Sequence, residues 1–179
     1  MSSLYKTCFA SICMDGETTV NGDGSSETCV GMCHTSTGSD QFLRLDFAYR
    51  RIVNRVMVYN RVFVYTGDSG IVEVRLGQHE VWVGDDPDSP TSNSLCSAKD
   101  DSSSVVVHPC AQPLSGQYVF VLLPGANRML NLQEVEVYGS EGASMSCEGS
   151  AKACSRKCWS VHWLGCVLSG VQVYGGAHE

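Results

Sequence analysis

From residue 42 onward the chain alternates apolar and polar positions in short runs, the period a half-buried β-strand requires. The clearest are F-L-R-L-D-F (42–47), I-V-N-R-V-M-V-Y (52–59) and Q-H-E-V-W-V (78–83). V-V-V-H (105–108), Y-V-F-V-L-L (118–123) and L-Q-E-V-E-V-Y (132–138) follow. Gly, Asp, Ser and Pro bound these runs, and almost no segment carries a helical period. D-D-P-D-S-P-T-S-N-S (85–94) and K-D-D-S-S-S (99–104) read as loops, the first a solvated one. Several antiparallel strands with long connections in one such stretch predict an all-β, two-sheet jelly roll or sandwich.

The pattern changes near residue 142. A small, polar segment leads into a Cys/Trp-rich tail that ends V-L-S-G-V-Q-V-Y-G-G. So short a tail builds no core of its own without covalent ties. The expected organisation is therefore a β-sandwich over 1–141 and a cysteine-rich C-terminal extension over 142–179, with Trp159 and Trp163 as the extension's small core.

Composition narrows the functional classes. Of 179 residues 43% are apolar, enough for one real core, and the net charge of −7 disfavours nucleic acid or an anionic membrane as partner. No apolar run approaches a membrane span. The opening M-S-S-L-Y-K-T lacks the apolar stretch of a secretory signal, so a mature or trimmed chain is expected. Ten scattered cysteines favour a disulfide framework, and hence an extracellular or lumenal site, over zinc thiolates. No C-x2-C pair is present, and the spacing at 154–166 suits a zinc finger poorly. The pairing of Cys8 and Cys13, with each other or with the tail, stays open. No nucleophile–base pair, paired-carboxylate signature or phosphate loop is present, which points away from an enzyme.

The candidate chemistry begins at M-C-H-T-S-T-G (32–38). A lone histidine in a polar loop is ordinarily a solvated residue, but 26 residues separate His34 from Arg61, which closes V-M-V-Y-N-R. Arg75 follows, just before L-G-Q-H-E-V-W-V-G. Salt bridges from Arg61 to Asp68 or Glu73, and from Arg75 to Glu73, are the plainer alternatives. His79, His108, His162 and His178 belong to no such constellation and read as structural or solvated.

The order of these pieces resembles an F-type lectin domain, the fucose-binding branch of the discoidin-like jelly rolls. V-N-G-D-G-S (20–25) stands for that family's acidic loop, the His–26–Arg spacing for its sugar motif, and E-V-E-V-Y-G (134–139) for its last strand. The likeness spans roughly residues 5 to 140. It implies a non-catalytic module for glycans or glycoproteins, with His34, Arg61 and Arg75 contacting the sugar. Guanidinium forks are rigid donors to adjacent hydroxyls, and an imidazole adds one more directional group. A deoxy sugar's methyl group also needs an apolar wall, which Phe63 and Tyr65 would provide. The sequence departs from the family here: the loop 62–74 is longer, and Asp68 is the nearest aspartate that could orient an arginine.

The resemblance further implies a structural Ca²⁺ held by hard oxygen donors. The matching positions are Asn21, Asp23 and Glu134, with main-chain carbonyls near Thr18, Ser26 and Gln133. It also implies a Cys96–Cys110 disulfide. The family's tie between the histidine loop and the last strand is excluded, because Gln133 takes the partner's place, and Cys29 becomes the nearest candidate partner for Cys33. The rival function is a structural or adhesion module on an extracellular or cell-surface structure, binding proteins or itself without sugar, since fold alone does not fix function.

Overall fold

The computed structural model describes residues 1–18, 29, 31–61, 72–141 and 158–160, with only the backbone of Val72, Glu73, Glu141 and 158–160. Seven strands form one antiparallel system: β1 (Cys33–His34), β2 (Gln41–Asn60), β3 (Gln78–Gly84), β4 (Ser94–Asp100), β5 (Val105–Leu123), β6 (Asn131–Glu141) and β7 (Cys158–Ser160). Their order is β1-β6-β2-β5-β3-β4, and β7 pairs with β6. The only helical pieces among the described residues are short 3-10 turns at Ala10–Met14, Val72–Arg75 and Pro90–Ser92.

Two long strands turn this order into a sandwich. The first part of β2 (Gln41–Asp46) pairs with Tyr118–Leu123 of β5, and β3 and β4 continue that leaf. The second part (Arg51–Asn60) lies between the start of β5 and β6, which make the other leaf with β1. Register shifts after Asp46 and after Val53 mark the crossing. At the corner Asp46 accepts from the Ala48 N–H at 2.8 Å and from Gln117 Nε2 at 2.9 Å. The slip at Val53/Arg55 explains a break in the alternation. Leu43, Leu45, Phe47 and Val53 are buried, and after the inserted residue Val56 and Val58 take over. Gly139 of β6 lies against this bulge: a Cβ there would meet the Ile52 carbonyl at 1.7 Å. The glycine of Y-G is therefore required by backbone approach.

Leu43, Leu45, Val56, Val58, Val81, Val83, Val119, Val121, Val135 and Val137 form one core between the leaves. β2 and β5 each join two of the expected runs in a single bent strand. Three elements were not anticipated: β1, which is two residues long, β4, and β7, through which the extension adds a strand to β6. β4 also corrects the reading of 99–104 as loop, since Lys99 and Asp100 pair with His79 and Gln78. The remainder of 142–179 lies outside the described residues.

Among the described residues three disulfides are formed. Cys96–Cys110 joins β4 to β5, as the family resemblance implied. Cys33 does not pair with Cys29: it bonds to Cys13 in the first 3-10 turn, and Cys29 bonds to Cys8. The reason lies in the register. β1 runs beside Leu132 in the core, and the turn at Ala10–Met14 packs on that end of β6, with Cys13 Sγ 2.9 Å from the Leu132 carbonyl oxygen. Cys13 thus approaches Cys33 to a Cα separation of 5.4 Å.

Candidate functional site

His34 is not a solvated loop residue. It sits on β1 opposite Asn131, is 2% exposed, and has the Tyr5 ring stacked at 4.7 Å. Because Cys33 and Leu132 point into the core, the alternation turns His34 and Asn131 to the other face of the leaf. Its Nδ1 lies 2.6 Å from the Thr35 carbonyl oxygen, so Nδ1 carries the proton and donates. Nε2 is then the acceptor nitrogen of the neutral ring.

Arg61 immediately follows Asn60, which pairs with Leu132, and it is 1% exposed. Arg75 ends the turn Val72–Arg75 and is half-buried. Its Nη1 lies 3.7 Å from Met129 Sδ, and its carbonyl accepts from Arg128 Nη2 at 3.4 Å. Arg128 also donates to the carbonyls of Leu76, Gln78 and Pro124 at 3.0, 3.0 and 3.1 Å, pinning the Arg75 segment to the β5–β6 connection. His34 thus stands opposite Asn131, Arg75 lies against Arg128 and Met129, and Arg61 follows the residue that pairs with Leu132. Asn131 is 2% exposed, and among the described residues its carboxamide has no hydrogen-bond partner. Phe63, Tyr65, Asp68 and the Glu73 side chain lie outside the described residues.

Of the expected metal ligands, Asn21 and Asp23 also lie outside the described residues. Glu134 is described and 1% exposed. It accepts from the Gly16 N–H at 2.8 Å and from its neighbour Val135 N–H at 2.9 Å. Burial, above all, pushes its carboxyl up to about 7, opposed by those hydrogen bonds and reinforced by Asp15 and Glu136. Among the described residues no three His, Cys, Asp or Glu side chains form a metal cluster. A nearby divalent cation would offset the burial that raises this carboxyl and favour its ionised form, and carboxylate oxygen is a donor that Ca²⁺ takes, so this part of the donor set fits the ion.

His79 and His108, which read as structural or solvated, are structural: they meet inside the sandwich. Both are 0% exposed, on the core-facing sides of β3 and β5, with Nε2 to Nε2 at 2.8 Å. His79 Nδ1 lies 2.7 Å from the Gly77 carbonyl oxygen and so carries its proton. His79 Nε2 must then accept from His108 Nε2–H, leaving His108 Nδ1 as a buried nitrogen without a partner. Burial first, and then the neighbouring His79, push His108 down to about 3, and burial lowers His79 as well. The residues stand 29 apart in the chain, and only the pairing of the two leaves brings them together.

This topology, two leaves sharing bent strands with disulfides at the edges, is that of an antiparallel, jelly-roll-like β-sandwich. Solved structures carry the assignment further. The chain is similar to an F-lectin (fucolectin) from striped bass (Morone saxatilis) serum, with 28% identity, a TM-score of 0.63 and 77% of this chain covered. It spans 43% of that protein. A fucose-binding module of Streptococcus pneumoniae aligns at 22% identity and TM-score 0.56, covering 76% of this chain and 89% of that one. The lectin domain of lectinolysin, complexed with Lewis B antigen, aligns at 22% and 0.59, covering 78% and 89%. No protein-family model and no curated protein matches the chain. The chain thus resembles F-type lectin domains in fold.

Proposed function

We propose that this domain is an extracellular, non-catalytic carbohydrate-binding module that recognises a fucose-type sugar through His34, Arg61 and Arg75. What supports the reading is that His34 pairs with Asn131, that Arg75 lies beside Met129 and that Arg61 follows the partner of Leu132, in a fold similar to that of the striped bass fucolectin. The chemistry is complementary. His34 Nε2 accepts from a sugar hydroxyl, while guanidinium N–H groups donate to hydroxyl and ring oxygens, so one site tests both polarities. Phe63 and Tyr65 supply the apolar wall for a methyl group. Fucosylated glycans and glycoproteins are the partners, and the disulfides suit an oxidising compartment. No helix among the described residues is long and apolar enough to cross a membrane.

A glycan array tests this reading. The wild-type domain is expected to retain fucosylated glycans. Arg75→Ala should lose them about 10- to 100-fold in affinity, the loss of a charged hydrogen bond of about 1.5–3 kcal/mol. Retention of no fucose- or galactose-type glycan would overturn it and favour an adhesion role.

Calcium belongs to the same proposal. Asn21, Asp23 and Glu134, with carbonyls near Thr18, Ser26 and Gln133, would hold the ion. It would fix the acidic loop against the last strand. Millimolar Ca²⁺ is expected to raise the Tm by several degrees over a chelated sample, as a ligand at about 100 Kd adds about 2.7 kcal/mol. Glu134→Gln should abolish the rise, and an equal rise in that variant would remove Glu134 from the site.

A further inference from the structure

A cleft of about 500 Å³ opens on the outer face of the leaf formed by β2, β5 and β3, and none of its walls is His34, Arg61 or Arg75. Its floor follows from the register. Phe42, Leu122 and Glu80 lie side by side across the three strands, and Arg44, Phe120 and Trp82 form the next row. The neighbours Val81, Val83, Val121 and Leu43 point into the core, so this row pair faces outward. A solvated sheet face is ordinarily polar, yet this one carries a phenyl, an indole and a leucine. Phe42 rests edge-on against the fully buried Phe120 at 5.6 Å between ring centroids.

Around the apolar floor stand three carboxylates. Glu80 accepts from Trp82 Nε1 at 2.8 Å, which fixes the indole and sets a negative charge at its edge. Asp40 is anchored by the Gly125 N–H, which donates to its Oδ1 at 2.7 Å. Asp88 is carried in by the loop after β3, where its own N–H and that of Ser89 donate to Asp86 at 2.9 and 3.1 Å. The hydroxyl-bearing Ser89 and Thr91 complete the rim. Among the described residues no Lys or Arg lines the cleft. Arg44, the cation on the same face, is turned aside to donate to the Pro87 carbonyl, with its guanidinium 5.4 Å from the Tyr118 ring centre.

We infer that this cleft is a second saccharide subsite, specific for a pyranose bearing an ammonium group, a glucosamine-type unit. The apolar face of such a ring stacks on an indole, its hydroxyls donate to carboxylates and its ammonium meets their charge. The volume is in the range of small-ligand sites. A single lysine side chain of a peptide, narrow and without a flat face, would leave the aromatic floor largely uncovered. The inference does not rest on the fucose reading, because the two sites share no residue.

Calorimetric titration of the whole chain with a glucosamine trisaccharide and with its N-acetylated counterpart tests it. Binding of the free-amine sugar is expected. It should weaken at least tenfold on acetylation and at least tenfold in Asp40→Asn/Asp88→Asn, whose sites are exposed. His34→Ala should leave it unchanged. The inference is overturned by no binding, by equal binding of the acetylated sugar, or by loss in His34→Ala with retention in the double variant. It is equally overturned if a lysine-rich peptide binds the cleft more tightly than the trisaccharide.

Discussion

Lowering the pH from 6.5 towards 4 is expected to remove about 1 kcal/mol of stability per pH unit through the His79–His108 pair. In the unfolded chain these imidazoles titrate near their usual 6.5, whereas in the fold His108 is pushed down to about 3 and His79 is lowered too. Between those values the unfolded state binds more protons. The full contribution is therefore present above about 6.5 and is lost progressively as pH falls towards the folded value. The geometry gives the reason. A proton on His108 Nδ1 would be buried without an acceptor, and a proton on His79 Nε2 would place two N–H groups nose to nose at 2.8 Å. Asp101 lies near enough to favour a charged ring, while Lys99 and Arg128 oppose it. Urea unfolding at a series of pH values measures the slope. His108→Met should reduce it by about one proton, and contributions from Glu134 and the surface carboxylates cancel in that comparison. An unchanged slope in His108→Met would show that the pair does not carry the acid sensitivity.

Removing the Cys13–Cys33 disulfide should have the second large effect, on two readouts at once. Closing a loop of this size is worth about 3 kcal/mol, so Cys13→Ala/Cys33→Ala should lower the Tm by about 10 °C. It should also weaken fucose binding, because β1 is only Cys33 and His34, and the bond to the Ala10–Met14 turn is what anchors it. Cys96–Cys110 closes a comparable loop at the far edge, between β4 and β5. Its removal should cost similar stability and leave sugar affinity intact. Equal binding by both variants would contradict the anchoring role of Cys13–Cys33.

What the sequence reveals follows physical range. The strands were legible because alternation is local, and Leu43/Leu45/Phe47 and Val119/Val121/Leu123 display it plainly. β1 is too short for any period, and S-L-C-S-A-K-D of β4 alternates too weakly to be recognised. The joining of two runs into one bent β2 was hidden because the bulge at Val53/Arg55 looks like a strand end. Long-range pairings were the least legible. Ten cysteines admit many connectivities, and Cys13 meets Cys33 only because the N-terminal turn folds on to β6. The His–26–Arg spacing marked His34 and Arg61, but not their burial, which for His34 depends on Tyr5 of the N-terminal segment and on β6. The outward aromatic floor at Phe42 and Trp82 was readable only after the register had aligned three strands.

The central claim is that a fucose-type sugar binds where His34 stands, and the imidazole resonances of the histidines test it most directly. Titrating a fucosylated oligosaccharide into the isotope-labelled chain should shift the His34 ring signals in a saturable manner and leave those of His79 and His108, sealed in the core, unmoved. Saturable binding with unmoved His34 signals, or no binding at all, would contradict the account.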